Sequence, residues 1–273
     1  MAALLSWVNW LDRAGEGVTI AASSEVATLR ASRLVEPQLR RRWRTMPGAT
    51  SPVLNIDLGA VRTIGVLALV QPDDAGGISP NNEALGLMAP SDTVRHRLDA
   101  VSPGAGALLD TAVLPGGWAA GAHAYVPAAP IAARYWRADL AAASLASAPG
   151  YVDLGRAWAG PAWKPARGNF SYGWGRVWED GSTVSNNPRS GLDFVDVGPN
   201  RRALTFAFNV LTQADAAQLD ELQRVAGIRG QVLFLPFEDR RIAPVLGRLV
   251  QVQPITQPNF VAFQAAFQIR QSL

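Results

Sequence analysis

The chain has 273 residues, 48% of them hydrophobic and 17% charged, with a mean hydropathy of +0.06 and a formal net charge of +3, which describes a globular chain with ample core rather than a disordered one. It has no cysteine and only two histidines, His96 and His123, which excludes disulfides, thiol nucleophiles and the usual zinc sites. No apolar run reaches the roughly 18 residues of a membrane-spanning helix, and the apolar start, Met1 to Leu11, lacks a basic leader and meets Asp12 and Arg13 at once, so a cytosolic origin without a signal peptide is expected.

Glycine (25), proline (19) and tryptophan (9) punctuate short apolar runs throughout, the texture of sandwiches and barrels rather than helical bundles. The expected class is mainly β, with two domains. Lys164 is the only lysine, so 24 of the 25 basic residues are arginine. GC-rich coding accounts for that ratio, and so does an interface built on planar, bidentate contacts.

Val53 to Val70 is the first clear strand region: an extended piece ends at Asp57-Leu58-Gly59, turns, and re-enters a strand over Thr63 to Val70. Ile64 to Val70 is apolar on both faces, as a central strand of a packed sandwich is. Gln71 to Asp92 has no hydrophobic period, and a structureless loop of this length is usually functional or disordered. Its Asp73, Asp74, Asn81 and Asn82 cluster hard oxygen ligands, making them candidates for a loop contact or a calcium ion, although no spacing specifies a metal site. A strand is expected over Val94 to Leu98, and a Gly/Ala/Pro-rich stretch follows to Pro130. Ala133 to Leu140 alternates small or apolar with charged residues, which fits a sheet with one wet face. Tyr151 to Trp158 reads as another strand, and Pro161 and Pro165 place a boundary near 161–168, dividing the chain into 1–162 and 163–273.

Beyond the boundary, Leu204, Phe206, Phe208 and Val210 alternate with polar or small residues, predicting a strand over Arg201 to Leu211 with one buried face. Thr212 to Asp215 matches a capping box in its Asp variant, and Leu219, Leu222, Val225 and Ala226 follow at helical spacing before Gly227, so a helix is expected over about 213–226. Gln231 to Phe237 and Pro244 to Val252 read as strands, and Val261 to Ile269 alternates without exception.

Ala21-Ala22-Ser23-Ser24, Leu34 with Pro37 and Trp43-Arg44, Asn55 to Gly59 with Thr63 to Val66, and Ala133 to Arg137 occur in the order found in the discoidin, or coagulation factor type C, family. Over about residues 18 to 158 the N-terminal half resembles that family, which implies a jelly-roll β-sandwich. The family binds sugars or lipid headgroups through loops at one end, but no specific binding residue carries over. The terminal cysteines of many members are absent here, and the loop over 71–92 is enlarged. The C-terminal half, through Arg201-Arg202, Phe206 to Phe208 leading into the helix, Val232 to Pro236 and the alternating last strand, is similar to the β-rich tail-tip modules of long-tailed phages, distal and minor tail proteins. That likeness implies a structural baseplate component that forms a sixfold or threefold homo-oligomeric ring, or docks between the tail tube and receptor-binding or hub proteins. It also implies a virion location after assembly in the bacterial host cytoplasm.

Catalytic signals are missing: there is no Gly-x-Ser-x-Gly elbow and no P-loop, and Gly104-Ala105-Gly106 and Gly116-Gly117 sit in loop-like surroundings rather than opening a helix. The carboxylate pairs Asp73-Asp74, Glu179-Asp180, Asp193 with Asp196, and Glu238-Asp239 fall in expected loops, where solvated acids are the default. No enzyme activity, cofactor or metal is expected. Arg40-Arg41-Arg42-Trp43-Arg44 is the one basic cluster with an aromatic in it. Packing of Trp43, with Arg41, Arg42 and Arg44 as surface or subunit contacts, is preferred over specific nucleic-acid binding. Phe170, Tyr172, Trp174 and Trp178 form an aromatic segment that fits either a subunit interface or a seal between domains. The alternative to the tail-tip reading is a carbohydrate-binding module of a cell-surface-directed bacterial or phage protein.

Overall fold

A computed structural model describes residues 3–72, 84–114, 118, 121–167, 169–187, 192–237 and 243–272. Its strands are β1 (Leu4–Ser6), β2 (Thr19–Ala22), β3 (Trp43–Arg44), β4 (Val53–Ile64), β5 (Val66–Val70), β6 (Thr93–Asp99) and β7 (Leu109–Asp110). Next come β8 (Ala122–Tyr125), β9 (Ile131–Ala141), β10 (Asp153–Leu154), β11 (Arg156–Gly160), β12 (Gly175–Glu179), β13 (Thr183–Asn187), β14 (Leu192–Asp196) and β15 (Arg201–Leu211). The helix α1 (Gln213–Val225) precedes β16 (Val232–Leu235), β17 (Val245–Leu249), β18 (Thr256–Asn259) and β19 (Ala262–Gln271). The protein is mainly β.

The chain divides into two compact units. The first comprises Met1–Pro165 and Val232–Leu246, and the second Ala166–Gln231 and Gly247–Ser272. The expected C-terminal domain, 163–273, therefore loses its 232–246 stretch to the first unit. Burial explains the difference: Leu233, Leu235 and Leu246 pack in one apolar cluster with Leu4, Val66, Ala68 and Trp158, and β16 pairs with β1 in the register Leu4 to Leu235.

The first unit is a β-sandwich. Its five-stranded sheet, β2-β4-β9-β6-β7, packs on the three-stranded sheet β11-β5-β8. Leu54 and Ile56 from β4, Val94 and Leu98 from β6 and Trp136 from β9 meet Leu67 and Leu69 from β5 in the main core. The other face of β5, with Val66, Ala68 and Val70, belongs to the cluster that holds β1 and β16. Double coverage is why this strand tolerates no polar residue.

Two glycines shape the path between the sheets. The expected turn at Asp57-Leu58-Gly59 is a bulge inside one long strand, with register lost between Asp57 and Arg62 and Gly59 at a φ of +75°. At Gly65 the chain leaves the five-stranded sheet for the three-stranded one, and a Cβ there would stand 2.7 Å from the Ala162 backbone nitrogen.

In the second unit β12, β15 and β19 form an antiparallel sheet, with β18 on β19 and β13 paired only with β14 among the described residues. Leu204, Phe206 and Phe208 are buried with Ala265, Phe267 and Ile269, and Leu219 and Leu222 of α1 are buried as well. The helix starts at the predicted capping box, where Thr212 Oγ1 accepts from Asp215 N at 3.1 Å and Asp215 Oδ2 accepts from Thr212 N at 3.0 Å. Strands β8, β12, β13 and β14 lie where the sequence suggested loops, because none of them carries a clean two-residue alternation.

Candidate functional site

An array of paired polar side chains lies on the wet face of the five-stranded sheet. Strand alternation creates it, since Val94, His96 and Leu98 are buried while Arg95 and Arg97 face the other way. Register then lines up Val53, Asp139 and Arg95 in one row, Asn55, Arg137 and Arg97 in the next, and Asp57, Tyr135 and Asp99 in a third.

Along these rows guanidinium and carboxylate groups interlock. Arg95 Nε donates to Asp110 Oδ1 at 2.7 Å, and Arg137 Nε to Asp139 Oδ1 at 2.8 Å. Arg97 donates from Nε to Asp139 Oδ2 at 3.1 Å and from Nη1 to the Gly104 carbonyl at 2.7 Å. Arg134 grips Asp57 with two bonds of 2.8 and 2.9 Å. The hydrogen bond from Arg95 lowers the Asp110 pKa to about 2. Burial works to raise Asp139, but the bonds from Arg97 and Arg137 outweigh it and the net shift is downward. Asp99 is likewise lowered against its own burial, by the backbone N–H groups of Gly106, Ala107 and Gly104. Because each carboxylate is already matched to donors, the face is close to neutral. It suits a ligand that both donates and accepts hydrogen bonds, not one that brings a full charge.

The predicted arginine cluster has a different fate. Arg42 and Arg44 are buried, not surface contacts: pairing of β3 with β10 sets Asp153, which has no exposed surface, opposite Arg44. Arg44 binds its two carboxylate oxygens at 2.8 Å each, Arg42 adds an ion pair at 3.3 Å, and Gly86 N donates at 2.9 Å. The Arg44 guanidinium also lies 4.0 Å over the Tyr151 ring. Arg40 and Arg41 face solvent, and Arg41 is paired with Glu36 at 3.1 Å. A lone carboxylate in the apolar run Tyr151-Val152-Asp153-Leu154 was the signal in the sequence, since a buried charge demands a partner.

The aromatic segment splits as well. Phe170 joins Trp174 and Phe206 at ring separations of 5.6 and 6.1 Å, within the second unit's aromatic core. Tyr172 is fully exposed beside Gly173, and Trp178 is exposed on β12 near the Arg202 guanidinium. Asp73, Asp74, Asn81 and Asn82 lie outside the described residues, as do Glu238 and Asp239. Asp193 and Asp196 point to opposite faces of their hairpin, across from Asn186 and Thr183 respectively, so they do not converge. Glu179 is tied to Arg270 at 2.6 Å on the wall of an open cleft of ≈ 340 Å³, also lined by Asp180, Gly181, Pro199 and Arg201. Among the described residues no three His, Cys, Asp or Glu side chains group as a metal site.

Sequence reasoning missed one further constellation, a buried pair made of His96 and His123 beside Trp136, Trp118 and Tyr125. Its signal was the position of each histidine among core-facing residues, Val94 and Leu98 for one and Ala122 and Ala124 for the other.

No family model and no curated protein matches the chain. Solved structures similar to it include the family 32 carbohydrate-binding module of Clostridium perfringens NanJ in complex with galactose, at 15% identity over 58% of this chain and 99% of that one, with a TM-score of 0.39. The lectin domain of lectinolysin complexed with Lewis B antigen is similar at 15% identity over 55% of this chain and 94% of that one (TM-score 0.38). A Streptococcus pneumoniae fucose binding module is similar at 12% identity over 56% and 94% (TM-score 0.39).

Proposed function

We propose that the chain is a non-catalytic recognition protein whose first unit binds a neutral carbohydrate on the wet face of its five-stranded sheet. The observation that carries this reading is the interlocked ladder of Arg95, Arg97, Arg137, Asp110 and Asp139 on rigid strands. A sugar hydroxyl donates and accepts at once, and planar guanidinium and carboxylate groups held in fixed rotamers offer both without a further ordering cost. Tyr135, on the same face, adds an aromatic ring against which the apolar side of a sugar can rest. Galactose, fucose and Lewis-type oligosaccharides are the first probes.

Glycan-array screening of the full chain, followed by calorimetry with Arg97→Gln and Arg137→Gln, tests the reading. Binding of a neutral glycan that weakens at least about tenfold in the variants is expected, the scale of a lost charge-assisted hydrogen bond. Absence of glycan binding, or binding that both variants leave intact, refutes it.

A second reading, that the chain is built into a phage tail tip, is favoured by one observation in the other unit. Val177, Trp178, Val184, Leu192, Phe194 and Val195 are exposed on β12, β13 and β14. A two-stranded hairpin with apolar residues on both faces is marginal in water and marks a surface that other chains cover. Light scattering and negative-stain microscopy of the purified chain test this, with a closed ring as the expected result and a monomer at high concentration as the contrary one.

A further inference from the structure

His96 lies on β6 of the five-stranded sheet and His123 on β8 of the three-stranded sheet, both with no exposed surface. Their Nε2 atoms stand 3.1 Å apart across the sandwich, and Trp136 Nε1 lies 3.2 Å from His96 Nδ1. An indole N–H only donates, so His96 Nδ1 accepts and carries no proton. Neutral His96 then holds its proton on Nε2 and donates it to His123 Nε2, which leaves the His123 proton on Nδ1. The relay from Trp136 through His96 to His123 runs in one direction. A proton added to His96 Nδ1 would face the indole N–H, and one added to His123 Nε2 would face the N–H of His96. Either breaks a hydrogen bond and buries a charge.

Among the described residues the pair packs mostly against aromatic and apolar groups. From β9 it meets Trp136 and Ala138, from β8 Tyr125, from β5 Leu69 across from His123, and from the preceding loop Trp118. Thr111 approaches the His96 backbone. Tyr125 is the only other titratable group in this set. Arg95 and Arg97 flank His96 on β6 but face the opposite side of the sheet, where Asp110 and Asp139 hold them.

We propose that the His96 and His123 pair is an acid-sensitive clasp between the two sheets of the first unit, closed while both imidazoles are neutral and opened by protonation. Among the described residues β8 is an edge strand of four residues that pairs with β5 alone, so the clasp adds an anchor to that pairing and to the packing of Ala122 and Ala124. Imidazoles of the unfolded chain take up protons below about pH 6.5, whereas the clasped pair does so only by opening. The unfolded state then binds more protons, so the stability is complete above that pH and is lost as the pH falls. The loss approaches about tenfold in the folding constant per pH unit for each imidazole.

The test is urea unfolding of the full chain from about pH 7.5 to about pH 5.5, as wild type and as the His96→Gln/His123→Gln double variant, which keeps donors and acceptors in place and removes every histidine. Wild type is expected to lose at least about tenfold in its folding constant between about pH 6.5 and pH 5.5, and the variant to show no such loss. A flat wild-type profile, or the same fall in the variant, overturns the proposal. Should the variant not fold, imidazole NMR of wild type decides the matter. Resonances that stay constant until the fold opens support the clasp, and two ordinary titrations in an intact fold overturn it.

Discussion

In the first unit β4, β6 and β9 turn Leu54, Ile56, Val94, Leu98 and Trp136 inward and carry arginine and aspartate outward in matched pairs. In the second unit β13 and β14 turn Val184, Leu192, Phe194 and Val195 outward, with Phe194 57% exposed. A sheet with one face covered and its charges paired on the other is complete by itself. An apolar hairpin exposed on both faces is not. The contrast is why the proposed function assigns a small polar ligand to the first arrangement and a partner chain to the second.

The comparison breaks most severely at Asp153. Asp153→Ala leaves the buried guanidinium groups of Arg42 and Arg44 without their carboxylate and is expected to cost about 3 to 5 kcal/mol, read as a lower urea midpoint of the first unit by tryptophan fluorescence. A loss below about 1 kcal/mol would mean that the arginines find water or another partner and that this unit is less self-contained than described. In the second unit Thr212→Ala removes the reciprocal cap of α1 and is expected to cost about 1 kcal/mol, measured in the same way.

Smaller still, the pair of changes Phe194→Ser and Val195→Ser is expected to alter monomer stability by no more than about 0.5 kcal/mol while reducing self-association in light scattering. A large loss of stability would show that the hairpin packs on its own chain. The smallest effect concerns Asp110, whose carboxyl is expected to titrate at about 2 by NMR because Arg95 holds it ionised. Arg95→Gln should return it towards the ordinary carboxylate range. Since the shift is downward, what this pair contributes is present at neutral pH and is lost as the pH falls from the ordinary carboxylate range through about 2.

Much of the fold was legible in the chain. The alternation over Phe263 to Ile269 became part of β19, although Val261 lies outside the strand and is exposed, the capping box at Thr212 became the start of α1, and the doubly apolar run near Val66 became the strand buried on both sides. The wet face was legible in part, because Ala133 to Leu140 showed its charged alternation, yet Arg95 and Arg97 were not recognised as its partners. Strands β12 to β14 were illegible for a different reason: their apolar residues are exposed and follow no alternation of inside and outside.

By itself the sequence determined what depends on neighbours within a few residues: strand period, helix cap, mainly β class and the lack of thiol chemistry. The tertiary structure alone decided what depends on residues far apart. Arg44 meets Asp153 across 109 positions, and that meeting turns an expected surface contact into a buried ion pair. His96 and His123 lie 27 positions apart on strands of opposite sheets, and only the closed sandwich brings them to one hydrogen bond. Local periodicity states which face a residue takes, but a charge or a ring acquires its role from the group that stands across from it, and that is a property of the pairing of sheets.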